Sequence, residues 1–197
     1  MKKILVVCRN ASTYHAPIFR GLANKSDLRV LYIEKDGYIN KYNKEYRSII
    51  KKDFSMFKDY KYKFLPKKKF FFRYIIFYFT ILSLIKDKKI NNILIFGYDS
   101  IYSWIALLTA KTFKINVLWR GEAILNKNSI LKSFLKKIIL KFFFNLCDEI
   151  FYSCKKNKYF IENYTNKKTK SYPCSVDNHF FRNKFKKYKK NKKKIIK

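Results

Sequence analysis

Short apolar runs alternate along this chain with longer stretches that mix apolar and basic positions. Lys3 to Cys8, Leu28 to Ile33, Asn92 to Phe96, Ile115 to Trp119 and Ile150 to Ser153 are the clear short runs. Four to eight apolar residues bounded by turn signals read as buried strands. Tyr62 to Leu65 and Lys170 to Pro173 are weaker strand candidates of the same kind. Between them, the spacing predicts helices at about Pro17 to Asn24, Phe70 to Lys86, Ile101 to Thr112, Ser129 to Leu146 and Lys155 to Tyr164. Pro17 suits a first helical turn, and Asp99 or Ser100 is placed to cap the helix that follows. Glu34 to Pro66 is polar, tyrosine-rich and resists assignment. Strands that alternate with helices predict an α/β fold: a single Rossmann-like domain, its sheet mostly parallel, with helices on both faces. Residues 1–183 make up that domain. Lys184 to Lys197 is nearly all lysine with little to bury, so a frayed or disordered tail is expected there.

The 197 residues suffice for one well-buried core. Charge then changes the picture. Lysine and arginine number 46 against 13 acidic residues, a formal charge of +33. Only 7 of the 46 are arginine, and the chain is rich in Lys, Ile, Asn, Phe and Tyr, with four glycines and three prolines. A coding bias toward AT-rich codons accounts for part of this charge. Attraction to an anionic membrane surface accounts for most of the rest. Nucleic acid is disfavoured as a partner, because no helix-turn-helix, zinc-finger or RNP-type pattern is present. Cys8, Cys147, Cys154 and Cys174 include no Cys-x-x-Cys pair, and there are two histidines, so no metal site is expected. Unpaired spacing of this kind fits a reducing cytoplasm.

Lys2 and Lys3 precede an apolar run too short for a signal sequence. Phe70 to Ile85 is almost wholly apolar but has 16 residues and contains Arg73. A spanning helix needs about 20, so a buried or interfacial helix is expected, in a cytoplasmic protein peripheral to the inner face of the membrane. Lys67 to Tyr74 sets cations beside aromatics, and Phe134 to Phe144 holds Lys136, Lys137 and Lys141 among apolar residues. Both read either as membrane-facing surfaces or as helices packed on the sheet with snorkelling lysines.

The chemistry-bearing pattern is Trp119-Arg120-Gly121-Glu122, at the end of an apolar run. Ligands of open α/β sheets sit just beyond the carboxyl ends of the strands. Arg120 and Glu122 are two apart and project to one side of an extended backbone. Arg120 could clamp a phosphate or carboxylate with its planar fork, and Glu122 could accept sugar hydroxyls. The competing reading is a structural Arg–Glu pair that closes the loop. If Arg120 touches ligand, Arg120→Ala removes that contact without unfolding the domain. Tyr98 and Asp99 follow another strand, where Asp99 is as well placed to cap a helix as to bind. Tyr14 and His15 lie in the loop after the first strand and read either as cleft contacts or as a surface loop. That loop has no glycine before Gly21, so it does not read as a phosphate cradle.

Four stretches, in order, resemble the amino-terminal domain of a GT-B glycosyltransferase of the retaining, glycogen-synthase-like group. They are Ile4-Leu5-Val6-Val7 through Tyr14-His15-Ala16-Pro17 to Leu22, then Phe96-Gly97-Tyr98-Asp99-Ser100, then Trp119-Arg120-Gly121-Glu122, and finally Tyr172-Pro173-Cys174-Ser175-Val176-Asp177 to Phe181. The resemblance implies transfer of a hexosyl unit from a nucleotide sugar to a carbohydrate or lipid-linked acceptor, in polysaccharide or cell-envelope synthesis. It implies no metal, and no cofactor other than the nucleotide-sugar donor as substrate. It places Arg120, Glu122, His15, Tyr14, Tyr98 and Asp99 on the acceptor side of the cleft and names no catalytic base. In such enzymes a second Rossmann-like domain holds the donor. The sequence ends about where that domain would begin, so the chain is expected to act with a separate donor-binding partner or to be inactive alone. The alternative is a non-catalytic basic module on the same fold, bound to an anionic membrane or to nucleic acid.

Overall fold

A computed structural model describes residues 2–35, 42–43, 48–49, 56–125 and 130–195. The elements run β1 (Lys3–Cys8), α1 (Ala16–Ala23), β2 (Asp27–Tyr32), β3 (Tyr42–Asn43), β4 (Ser48–Ile49), β5 (Lys61–Phe64), α2 (Phe70–Lys88) and β6 (Asn92–Phe96). They continue with α3 (Ile101–Thr112), β7 (Asn116–Gly121), α4 (Ile130–Leu146), β8 (Glu149–Tyr152), α5 (Lys155–Glu162), β9 (Thr169–Ser171) and α6 (Asn178–Ile195). Seven strands form one sheet in the order β5-β2-β1-β6-β7-β8-β9, and every neighbouring pair is parallel. β3 and β4 form a separate antiparallel ribbon in the stretch that the sequence leaves unassigned. Ser129, the expected first residue of the long helix, lies outside the described residues.

The sheet's interior follows from its central strands. β1 is apolar from Ile4 to Cys8 and buried along all of that run, as a strand covered on both faces must be. Leu5 and Val7 face one core with Ile93, Ile95 and Val117, under Phe77 and Ile81 of α2, Ala106 of α3, Phe143 of α4 and Phe160 of α5. Ile4, Val6 and Cys8 face the other core with Val30 and Tyr32, under Phe19 of α1 and Met56 and Tyr60. The edge strands are short and lysine-bearing, with Lys61 and Lys63 in β5 and Lys170 in β9. Charged, abbreviated edges discourage pairing with another chain.

Two local signals resolve as follows. Ser100, not Asp99, caps α3, and its side chain accepts from the backbone N–H of Ser103 at 3.2 Å. Asp148 receives the N–H of Val117 at 2.7 Å and pairs with Lys111 at 2.7 Å, which ties the start of β8 to β7.

The chain's end departs from expectation. Asn178–Ile195 is helix, where a frayed tail was expected from Lys184. Asp177 explains its start: one carboxylate oxygen accepts from the N–H of Phe180 at 2.9 Å and the other binds Arg20 of α1 at 3.0 Å. A side-chain acceptor at the N-cap satisfies a helix donor that nothing else would meet. Unbranched lysine is also a good helix former.

From β1 the chain moves outward through β2 to β5, then returns to place β6 on the other side of β1. The strand order therefore reverses between β1 and β6. A crevice beyond the carboxyl ends of the strands opens at such a reversal, and the loops after β1, β6 and β7 surround it.

Candidate functional site

β7 carries the central residue of this crevice. The strand runs two residues past Trp119, so Arg120 and Gly121 belong to it, and Arg120 registers against Phe96 of β6 and Phe151 of β8. Gly121 is required there, because any Cβ would collide with the Trp119 ring. Trp119 is buried, and its indole N–H donates to the Gly97 carbonyl at 3.0 Å. That bond fastens the end of β7 to the turn after β6. Gly97 makes the turn at φ +79°, in the left-handed region that favours glycine.

Arg120 is 1 % exposed. Its guanidinium carbon lies 5.3 Å from the ring centres of both Phe96 and Tyr172. Every nitrogen is engaged. Nε donates to the Tyr172 carbonyl at 3.3 Å, and Nη2 to Cys174 Sγ at 3.2 Å. Nη1 donates to Glu122 Oε1 at 2.7 Å and to His15 Nε2 at 3.3 Å. The Cys174 thiol donates to the same Glu122 oxygen at 3.3 Å. Arg120 thus joins the loops after β1, β7 and β9 in one network. The Arg–Glu pair of the structural reading is present, and the guanidinium also packs against Phe96 and Tyr172. It holds Glu122 Oε1 by the shortest of its hydrogen bonds.

Glu122 is the exposed end of the network, with 56 % of its side chain in solvent. Burial of its inner part opposes ionisation. The hydrogen bonds from Arg120 and Cys174 and the Arg120 charge outweigh that, and hold the carboxyl below its ordinary value.

His15 sits on the other side of the guanidinium, 4.7 Å from the Phe96 ring. Burial, then the Arg120 charge, lowers its pKa to about 4. The imidazole is therefore neutral at physiological pH, and its 3.7 Å approach to Glu122 is not an ion pair. Because Nε2 accepts from Arg120, the proton rests on Nδ1, facing Cys8 Sγ at 4.0 Å. Burial pushes the Cys8 thiol up to about 12, so it stays protonated and donates to the Asn10 carbonyl at 3.2 Å. A chain of donors runs inward from Arg120 to the base of the β1 loop. Beside it, Asn10 Oδ1 and Tyr172 Oη are buried and have no hydrogen-bond partner among the described residues. Unmet polar atoms are costly in a folded interior and call for an explanation.

Next to this network lies a cleft of about 270 Å³, lined by Gly97, Tyr98, Asp99, Trp119, Gly121, Glu122 and Ala123. Tyr98 is half-buried and stacks on Phe160, ring centres 5.9 Å apart. Asp99, which leaves the capping of α3 to Ser100, is exposed and lines the cleft with Glu122. Asn157 supports the far wall by donating to the Ala123 carbonyl at 2.7 Å. A larger hollow of about 410 Å³ between α4 and the turn after α5 lies at the opposite edge of the sheet, away from these groups.

The structure thus brings Arg120, Glu122 and His15 into one network, and Glu122, Tyr98 and Asp99 into one cleft. Tyr14 stands apart. Its ring is exposed, and its backbone N–H donates to Ser12 Oγ at 3.2 Å. Cys174, Tyr172, Phe96 and Cys8 complete the network without having been singled out for it. The only sequence signal for Cys174 was its place between Pro173 and Val176 in a stretch already marked as notable. Among the described residues, no group of three His, Cys, Asp or Glu side chains is arranged to hold a metal ion.

No family model matches this sequence, and no curated protein matches it. Solved structures do share its fold. S. aureus MnaA, in a structure with UDP, superposes with a TM-score of 0.54 at 16 % identity, over 82 % of this chain and 40 % of that one. UDP-N-acetylglucosamine 2-epimerase from Rickettsia bellii gives 0.53 at 13 %, over 88 % and 45 %. UDP-GlcNAc 2-epimerase from Methanocaldococcus jannaschii gives 0.53 at 11 %, over 86 % and 45 %. The chain spans less than half the length of these structures. Its fold is a Rossmann-like α/β domain that corresponds to one half of a GT-B architecture.

Proposed function

We propose that this domain is the acceptor-side half of a glycosyl-transferring GT-B enzyme, and that the cleft between Asp99 and Glu122 holds a sugar. The observation that carries this reading is the cleft itself. Two carboxylates, Asp99 and Glu122, line it together with Tyr98 and Trp119. A sugar ring presents apolar C–H faces, which suit aromatic rings, and hydroxyls, which donate charge-assisted hydrogen bonds to carboxylates. A volume of about 270 Å³ is just under the range for drug-sized ligands and suits a single ring. Arg120 keeps Glu122 ionised and fixed in place, and the buried neutral His15 holds the guanidinium from behind. Two of the structures that share the fold are named UDP-N-acetylglucosamine 2-epimerases, and a third, MnaA, was solved with UDP. That supports sugar chemistry on this scaffold. The reaction proposed is transfer of a hexosyl unit to a carbohydrate or lipid-linked acceptor, with the donor held by a second domain.

Saturation-transfer NMR with free hexoses and N-acetylhexosamines tests this. Weak binding is expected, with a Kd on the order of 1 mM, and about a tenfold loss in Glu122→Gln and Asp99→Asn. No transfer to any sugar, or transfer unchanged in both variants, would overturn the reading. Tight binding of UDP-N-acetylglucosamine by this chain alone would place the donor here and overturn the acceptor assignment.

A further inference from the structure

Surface helices of a soluble α/β domain turn polar side chains outward. Three helices here turn large apolar side chains outward as well. On α2 the outward stripe is Phe71, Phe72, Ile75, Tyr78 and Phe79, with Phe71 71 % exposed. On α4 it is Phe134, Leu135, Ile138, Ile139 and Phe142, each more than half exposed. α3 fills the space between them. A groove of about 250 Å³, lined by Tyr78, Ile105, Leu108 and Phe113 among others, joins α2 to α3. Trp104 of α3 stacks on Phe142 of α4 with ring centres 6.3 Å apart. The apolar surface is therefore continuous across three helices whose inner faces are already spent on the core. Exposed apolar patches beyond a few hundred Å² mark interaction surfaces.

Charge selects the occupant. Across these three helices the sole acidic residue is Asp87, whose carboxylate accepts from Ser83 Oγ at 2.7 Å. Lys67, Lys68 and Lys69 lead into α2, and Lys137 and Lys141 flank the stripe on α4. A second copy would press +33 against +33, with almost no carboxylate at the contact to relieve the repulsion. An anionic lipid surface complements both halves of the pattern: phosphates for the lysines, and the acyl boundary for the phenylalanines. No helix among the described residues is long and apolar enough to cross a membrane, so the mode is lying on the bilayer. We propose that the α2–α3–α4 face is a docking surface for an anionic phospholipid bilayer. This inference does not depend on the sugar cleft. The lysine-rich α6 begins beside α1, tied to it through Asp177 and Arg20.

The test is co-sedimentation of the full chain with phosphatidylcholine vesicles, pure or containing one-third phosphatidylglycerol. Binding is expected only to the anionic vesicles. It should fall at least tenfold in Phe72→Glu/Phe79→Glu and in Phe134→Glu/Ile138→Glu, with far-UV and near-UV circular dichroism unchanged. Brominated lipid should quench Trp104 emission, with a Trp119→Phe variant isolating that signal. Failure to bind anionic vesicles overturns the proposal. So does binding that both glutamate pairs leave intact, because α6 or unspecific charge would then carry it. Concentration-dependent dimers that the glutamate pairs abolish, without vesicle binding, would assign the face to a second copy instead.

Discussion

Arg120 and Glu122 share a hydrogen bond of 2.7 Å, yet one is 1 % exposed and the other has more than half its side chain in solvent. The pair therefore divides its work. The buried partner is a fixed charge with every nitrogen occupied, and the exposed partner is free to meet a ligand. A surface ion pair of the same length would be worth little. This one is held by a buried guanidinium with every nitrogen bonded.

Arg120→Ala is expected to destabilise the domain by about 3 kcal/mol, through lost packing between Phe96 and Tyr172 and the stranded acceptors Tyr172 O and His15 Nε2. Arg120→Lys should not restore it, because one ammonium cannot reach the three loops that the planar fork joins. Urea unfolding measures both. Wild-type stability in the alanine variant would mean that the network holds nothing together.

Glu122→Gln should change stability by no more than about 1 kcal/mol, since the carboxylate is largely solvated, while sugar binding weakens about tenfold. The carboxyl lies below its ordinary value. Binding should therefore persist as pH falls through about 4.3, the usual glutamate midpoint, and decline only below it. A midpoint above that value, read by sugar titration across pH, would contradict the Arg120 and Cys174 bonds as its cause.

Gly121→Ala places a methyl against the Trp119 ring. The indole is buried and bonded to Gly97, so it has nowhere to retreat. Overpacking of this kind costs about 1–3 kcal/mol. The variant should also show altered Trp119 emission. An unchanged melting curve and spectrum would mean that the ring yields freely.

His15 titrates near 4 in the folded chain against about 6.5 in an unfolded one. As pH falls below 6.5 the unfolded state takes up a proton that the folded state refuses. Stability from this group is thus complete above 6.5, drains away toward 4 and is constant below. The total is up to about 3 kcal/mol. His15→Asn should flatten that part of the pH–stability curve relative to wild type. Parallel curves, or an NMR midpoint near 6.5 for the folded imidazole, would show that the ring is not held neutral.

Much of this was legible in one dimension. Apolar runs such as Leu5 to Cys8 and Ile93 to Ile95 could be stable only when covered on both sides, so strand identity and the α/β class followed from periodicity. The apolar run before Arg120 and Glu122 put them at a strand end, whereas the clash that keeps Gly121 a glycine appears only once the Trp119 ring is packed. Three matters were not legible. Whether Arg120 meets a ligand or meets Tyr172, Cys174 and His15 depends on loops up to 105 residues away in sequence, which no local pattern relates. Helix α6 was missed because its composition reads as disorder, while the Asp177–Arg20 tie that anchors it spans 157 positions. The phenylalanines of α2 and α4 had the spacing of core residues and of surface residues alike. Hydrophobicity along a chain states what must leave water. Only the packed sheet, with its finite area already covered by the inner faces of those helices, decided which of them were left outside.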